Sequence, residues 1–164
     1  MKRPYTGNKD GIAAGERKGL RVFINQLCAL YPALWSNGSY VNRPMRGKKD
    51  LSVHATGRAV DLSYRFMVKE NRGIPKGGRK QAMEAMRFIV KNADAFGLEA
   101  VLDYFPMPHG RGWRCDRSSW IVYNKKTISG APMGDWFHAE ISPKMADNPD
   151  AMREAFAQAK QTVA

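Results

Sequence analysis

The sequence predicts an α+β domain in which helices pack on a small antiparallel sheet. Three observations carry this reading. Residues 16–30 and 79–96 place apolar side chains at helical spacing. Several short stretches instead alternate apolar and polar residues, the period of a strand with one covered face. Glycine, proline and asparagine separate these stretches, as turns require. A chain of 164 residues, 43% hydrophobic, is long enough to bury one core, and a single domain over 1–164 is expected.

In chain order, the first helix is expected from Glu16 to about Leu30, with Leu20, Phe23, Ile24, Leu27 and Leu30 recurring on one side and Pro32 just past its end. Trp35–Ser39 reads as a turn, followed by a short extended piece through Tyr40 and Val41. Strand periodicity covers Ala59–Tyr64. Asn71–Gly78, rich in glycine and lysine, reads as a loop. The second helix is expected from Arg79 to about Phe96, with Met83, Met86, Ile89, Val90, Ala93 and Phe96 on its buried side and Gly97 as its C-cap. Met83 and Met86 read as core filler. Glu99–Phe105 is expected as a strand, Pro106–Gly112 as a loop, and Ser119–Tyr123 and Trp136–Ile141 as two more strands. Asn148-Pro149 opens a last helix that runs to about Thr162.

Composition narrows the classes of function. The chain has 27 Lys+Arg against 15 Asp+Glu, a formal charge of +12, which attracts polyanions such as nucleic acid, anionic lipid or anionic cell-wall polymer. The basic residues are spread along the chain, and no zinc-finger, basic-zipper or RNP signature occurs, so no specific nucleic-acid partner is expected. No apolar run approaches the ~18–20 residues of a membrane span. The basic start lacks an apolar stretch after it, so no signal peptide is expected. The two cysteines, Cys28 and Cys115, read as isolated thiols packed like small apolar residues. A monomer is expected.

The most informative stretch is Ser52-Val-His54-Ala-Thr-Gly57-Arg-Ala59-Val-Asp61. Seven residues rise ~10.5 Å on a helix and span ~23 Å on a strand, whereas donor atoms sharing one zinc lie only ~3–3.5 Å apart. If His54 and Asp61 share an ion, the chain must bend between them, and Gly57 is the residue able to take the unusual backbone angles. Beyond the bend, alternation turns Val60 and Leu62 to the core and Asp61 to the opposite side, beside the small Ala59. In Gly134–Ile141, alternation puts Trp136, His138 and Glu140 on one face and Phe137, Ala139 and Ile141 on the other. In isolation, His138 reads first as a hydrogen-bonded residue and second as a metal ligand.

The pattern Ser-x-His-x-x-Gly-x-Ala-x-Asp, filled by Ser52, His54, Gly57, Ala59 and Asp61 and followed by Asp135 three residues before His138, resembles one group of metallopeptidases. This is the family of D-Ala-D-Ala carboxypeptidases, vancomycin-resistance D,D-dipeptidases and phage L-alanyl-D-glutamate endopeptidases. The resemblance covers a motif-bearing core from about Ser39 to Ser142, and it implies the hedgehog/carboxypeptidase-like fold of that family. It implies one zinc ion held by His54, Asp61 and His138, with a fourth position open as in catalytic zinc sites. It implies Asp135 as general base, where many relatives carry Glu; strand alternation alone turns Asp135 away from His138, so a bend at Gly134-Asp135 is expected. It also implies an upstream arginine that binds substrate and steadies the oxyanion. Arg43, in Tyr40-Val-Asn-Arg43, fits best by position, and Arg46 is its competitor.

The expected activity is therefore hydrolysis of an amide bond in peptidoglycan stem peptides. L-Ala-D-Glu endopeptidase is favoured over D-Ala-D-Ala carboxypeptidase or dipeptidase, and a non-catalytic zinc-containing wall or nucleic-acid binding module is the remaining alternative. The basic chain without a signal peptide suits a phage endolysin, held in the host cytoplasm before it reaches the cell wall or periplasm. Its positive surface would add electrostatic contact with anionic wall polymer. Around the motifs, Ser52 reads as a hydrogen-bond partner of ligand or substrate, or as a turn residue. Trp136 reads as a cleft-lining or a packing residue, and Glu140 as a group orienting a ligand. His109, in the Pro106–Gly112 loop, reads as an exposed loop histidine.

Overall fold

The computed structural model describes residues 1–45, 47, 49–67 and 73–161. Arg46, the start of the expected 71–78 loop and the end of the last helix at Thr162 lie outside the described residues.

Six strands form one antiparallel sheet in the order β1-β2-β6-β3-β4-β5. They are β1 (Trp35–Gly38), β2 (Ala59–Ser63), β3 (Leu98–Asp103), β4 (Arg111–Arg114), β5 (Ser119–Val122) and β6 (Trp136–Ile141). The helices are α1 (Lys18–Leu30), α2 (Gly78–Lys91), α3 (Ala93–Phe96), α4 (Pro143–Asp147) and α5 (Pro149–Gln161). The architecture is α+β, as the periodicities predict.

Alternation along β2 and β6 sorts the two faces of the sheet. Val60, Leu62, Phe137, Ala139 and Ile141 are all fully buried in one cluster with Leu20, Phe23 and Leu27 of α1 and Met152 and Phe156 of α5. Phe23, Phe88, Phe96 and Phe156 meet there with ring centroids 4.6–6.1 Å apart. Each buried ring contributes about 1.5–3 kcal/mol of hydrophobic stabilisation. With the helices on this face, Asp61, His138 and Glu140 are left on the other, where a cleft opens.

The helix boundaries follow local chemistry. Tyr31 N–H donates to Leu27 O at the end of α1, ahead of Pro32. Asn148 Oδ1 accepts from Ala151 N–H at 3.0 Å and caps α5. The expected second helix is broken in two at Asn92, whose side-chain amide donates back to Phe88 O at 2.9 Å while its own backbone leaves helical angles. Gly97 then closes α3 in the left-handed region, as expected. On α2, Met86 is in the core, whereas Met83 is only half-buried and takes a contact from the Arg111 guanidinium.

Four further elements differ from expectation. Trp35–Gly38, expected as a turn, is strand β1; it pairs with β2, and the Trp35 indole N–H donates to Arg65 O at 2.9 Å. That tertiary pairing overrides the weak strand propensity of Ser36, Asn37 and Gly38. The extended piece expected at Tyr40–Val41 is no strand; the Tyr40 hydroxyl instead bonds Ala13 O at 2.7 Å. β4 begins inside the expected 106–112 loop, because Arg111 and Gly112 pair with both β3 and β5. The short helix α4 was not expected, although Ser142 capping Met145 N–H and Pro143 in the first turn form a legible helix start.

Candidate metal centre

Ser52 enters a short 3-10 helix, Val53–Thr56, in extended conformation, and Gly57 ends it at φ 72° with its N–H on His54 O. A Cβ at Gly57 would stand 2.3 Å from Gly15 O, so both the backbone angle and the close approach require glycine. The bend expected at Gly57 is present. It delivers His54 from the 3-10 helix and Asp61 from β2 to one place. His138 arrives from the neighbouring strand as the direct cross-strand partner of Asp61.

The donor atoms converge. His138 Nδ1 lies 3.0 Å from Asp61 Oδ1, and His54 Nε2 lies 3.5 Å from the same oxygen. One ligand atom from each of the three residues falls within 4.8 Å of the others, which is a grouping able to hold a metal ion. The far side of each imidazole is occupied. His54 Nδ1 is 2.8 Å from Ser39 O, and His138 Nε2 is 3.0 Å from Glu140 Oε1. A histidine that donates one ring N–H to a carbonyl or carboxylate presents the other nitrogen as a ligand. Two nitrogens and one carboxylate oxygen, so prepared, fit the donor chemistry of zinc.

The electrostatics follow from this packing. Burial opposes charge on Asp61, yet the hydrogen bonds from His138 and His54 outweigh it and hold the carboxyl below its ordinary range. Burial likewise opposes charge on His138, but Asp61 and Glu140 on either side of the ring raise it to about 10. Glu140 is held low in spite of burial by its bonds from His138 and then from Tyr5. Without metal, the carboxylates on either side favour a proton on both nitrogens of His138, and a ligating ion would displace the one on Nδ1.

The three residues line a cleft of about 450 Å³. Arg43, Ser52 and Trp136 line it as well, so these sequence candidates meet at one place. Ser52 is 6% exposed, and its backbone N–H donates to Arg43 O. Trp136 stacks on Tyr104 with centroids 4.8 Å apart. A bend does fall at Asp135, just before β6. Its carboxylate is bonded by Arg65 at 2.9 Å, and Asp135 is not among the residues lining the cleft, whereas Arg65 is. Glu140 sits against His138, as its place on the shared face predicts. His109 is a half-buried turn residue rather than an exposed one, and it too is not among the lining residues.

Compared with known proteins, the chain matches no family model, no curated protein and no solved structure.

Sequence reasoning missed the polar scaffold behind the centre. Arg58, inside the motif but outside its fixed positions, is fully buried. Its guanidinium bonds Asp10 at 2.9 Å, Glu99 at 3.2 Å and the carbonyls of Gly7 and Ile141. Nearby, Thr6 donates to Glu99 at 2.6 Å and Tyr5 donates to Glu140 Oε2 at 2.8 Å. Burial, then the Glu140 charge, push the Tyr5 phenol well above its ordinary pKa, so it stays a donor. The extended first residues therefore anchor on the sheet beside the centre. Tyr104 and Arg65 in the cleft were also missed, since neither stands in a motif; Tyr104 read only as part of the expected Glu99–Phe105 strand.

Proposed function

We propose that this protein is a zinc-dependent peptidase of the D-Ala-D-Ala metallopeptidase family and fold, acting on the peptide part of bacterial cell wall. One observation supports this most: two imidazoles turn one nitrogen each towards a single Asp61 oxygen, while their opposite nitrogens are taken by Ser39 O and Glu140. A structural zinc usually takes four protein ligands, often cysteine, whereas three ligands beside an open cleft are the pattern of a catalytic ion.

His54, Asp61 and His138 would hold the ion, which supplies Lewis acidity for amide hydrolysis. Arg43, on the cleft wall, meets the substrate carbonyl and stabilises the negative charge that grows on its oxygen. Asp135 accepts a proton from the attacking water and returns it to the leaving amine. Arg65, which bonds Asp135 and also lines the cleft, is the link between that carboxylate and the cleft wall. Ser52 and the Trp136–Tyr104 stack form the walls against which a stem peptide lies. The favoured bond is L-Ala-D-Glu, cut by a phage lysis enzyme whose charge of +12 adds attraction to the anionic wall.

A second reading draws on the position of Asp135. A carboxylate engaged by Arg65 and outside the cleft lining suits a module that keeps zinc and binds wall peptide without turning it over. The experiment that separates the two is release of new amino groups from purified peptidoglycan, with chelator, with zinc restored, and with Asp135→Ala. Zinc-dependent cleavage lost in Asp135→Ala supports the peptidase, and the mass of the new termini names the bond. Tight zinc binding without cleavage favours the binding module.

A further inference from the structure

The first residues of the chain carry no metal-ligand motif, yet one of them reaches the metal centre through a single intermediary. Tyr5 donates to Glu140 Oε2 at 2.8 Å, Glu140 Oε1 meets His138 Nε2 at 3.0 Å, and His138 Nδ1 faces Asp61 at 3.0 Å. The contact joins residues 135 positions apart. Glu140 and His138 are only 5% and 6% exposed, so water has little access to replace a lost partner.

We propose that Tyr5 is a positioning residue of the metal centre: its hydroxyl fixes the Glu140 carboxylate, which in turn fixes the plane and tautomer of the His138 ring. The inference rests on the metal reading of the site. The physical reason lies in the carboxylate. The terminal torsion of Glu is broad, so one hydrogen bond to His138 leaves the group free to swing. A second bond on the other oxygen removes that freedom, and the ring N–H then has one fixed acceptor. Such partners behind a ligating histidine are worth about 10–100-fold in metal affinity. The Tyr5 ring is itself held, with the Arg114 guanidinium 4.2 Å from its centroid, so Tyr5→Phe deletes the hydroxyl and keeps the packing. The neighbouring Thr6 offers an internal control, because it anchors the same stretch through Glu99 and not through Glu140.

The test is zinc affinity measured by competition with a chromophoric chelator, together with the visible absorption of the cobalt-substituted protein. Tyr5→Phe should lower zinc affinity about tenfold and alter the cobalt spectrum, with Thr6→Val within about twofold of wild type. In a Glu140→Gln background, Tyr5→Phe should cost nothing further, since the two act through one group. The proposal is overturned if Tyr5→Phe binds zinc like wild type, if Thr6→Val loses as much, or if the loss is the same in the Glu140→Gln background. A wild-type protein that takes up no zinc would instead remove the metal reading itself, a result distinct from a wild type and a Tyr5→Phe that bind zinc equally.

Discussion

Arg58→Met should be among the most damaging single changes outside the His54–Asp61–His138 cluster. The arginine is fully buried and bonds Asp10, Glu99 and two backbone carbonyls. Methionine fills much of the volume but supplies no donor. Asp10 keeps its ion pair with Arg17 at 2.6 Å, so most of the damage falls on Glu99, which is 2% exposed and keeps only the Thr6 hydroxyl among the contacts described above. Removing one partner of a buried pair costs about 3–5 kcal/mol, and each carbonyl left without a donor adds to it. Taking about 4 kcal/mol, and ~2–4 °C per kcal/mol for a chain of this size, the melting temperature should fall by about 8–16 °C. Thermal melts followed by circular dichroism on metal-free protein measure this directly. Adding Glu99→Gln to Arg58→Met removes the stranded charge and should recover about 1–2 kcal/mol. A loss below about 1 kcal/mol for Arg58→Met, or no recovery in the double variant, would refute the reasoning that an uncompensated buried carboxylate is the cause.

Three further outcomes are expected. Gly57→Ala meets Gly15 O at 2.3 Å and forces a positive φ, so it should destabilise the fold by more than about 2 kcal/mol and reduce zinc stoichiometry, read by urea melts and elemental analysis. Asp61→Asn keeps the shape of the side chain but removes the charge between two imidazoles; it should weaken zinc binding by at least about tenfold in a chelator competition while leaving the far-ultraviolet spectrum unchanged. For the metal-free protein, His138 is raised to about 10, so its contribution to stability is complete below its unfolded value near 6.5 and is lost as pH rises through 10. Asp61 and Glu140 are lowered, so theirs is complete above their unfolded values of 3.8 and 4.5 and is lost as pH falls below them. Urea midpoints should therefore peak between about pH 5 and 7 and drop on both sides, and zinc uptake near neutral pH should release about one proton, seen in a weakly buffered titration.

What could be read from the sequence had a physical cause, and so did what could not. β2 and β6 were legible because one face of each is wholly apolar and the period of two is strict from Ala59 to Ser63 and from Trp136 to Ile141. The bend at Gly57 followed from distance once His54 and Asp61 were taken to share an ion, since no regular element could bring them together. β1 was hidden because Ser36, Asn37 and Gly38 are turn formers that become a strand only by pairing with β2. The break at Asn92 lay inside an unbroken apolar rhythm. The roles of Tyr5, Thr6, Asp10 and Arg58 leave no local trace at all, because their bonds cross 41 to 135 positions and depend on where the sheet places Glu99 and Glu140.

The pairing of Asp61 with His138 across β2 and β6 has a bearing on how the protein would be made. In small zinc domains the ion itself organises the chain, and without it there is no fold. Here two of the three donors are set side by side by the backbone ladder of two strands near the middle of a six-stranded sheet, over a core cluster that contains none of the three. On the proposed zinc reading, synthesis and folding would run to completion even where free zinc is scarce. The ion would enter last, into a finished cleft, and a chelator that strips it should leave a folded chain that can be reloaded.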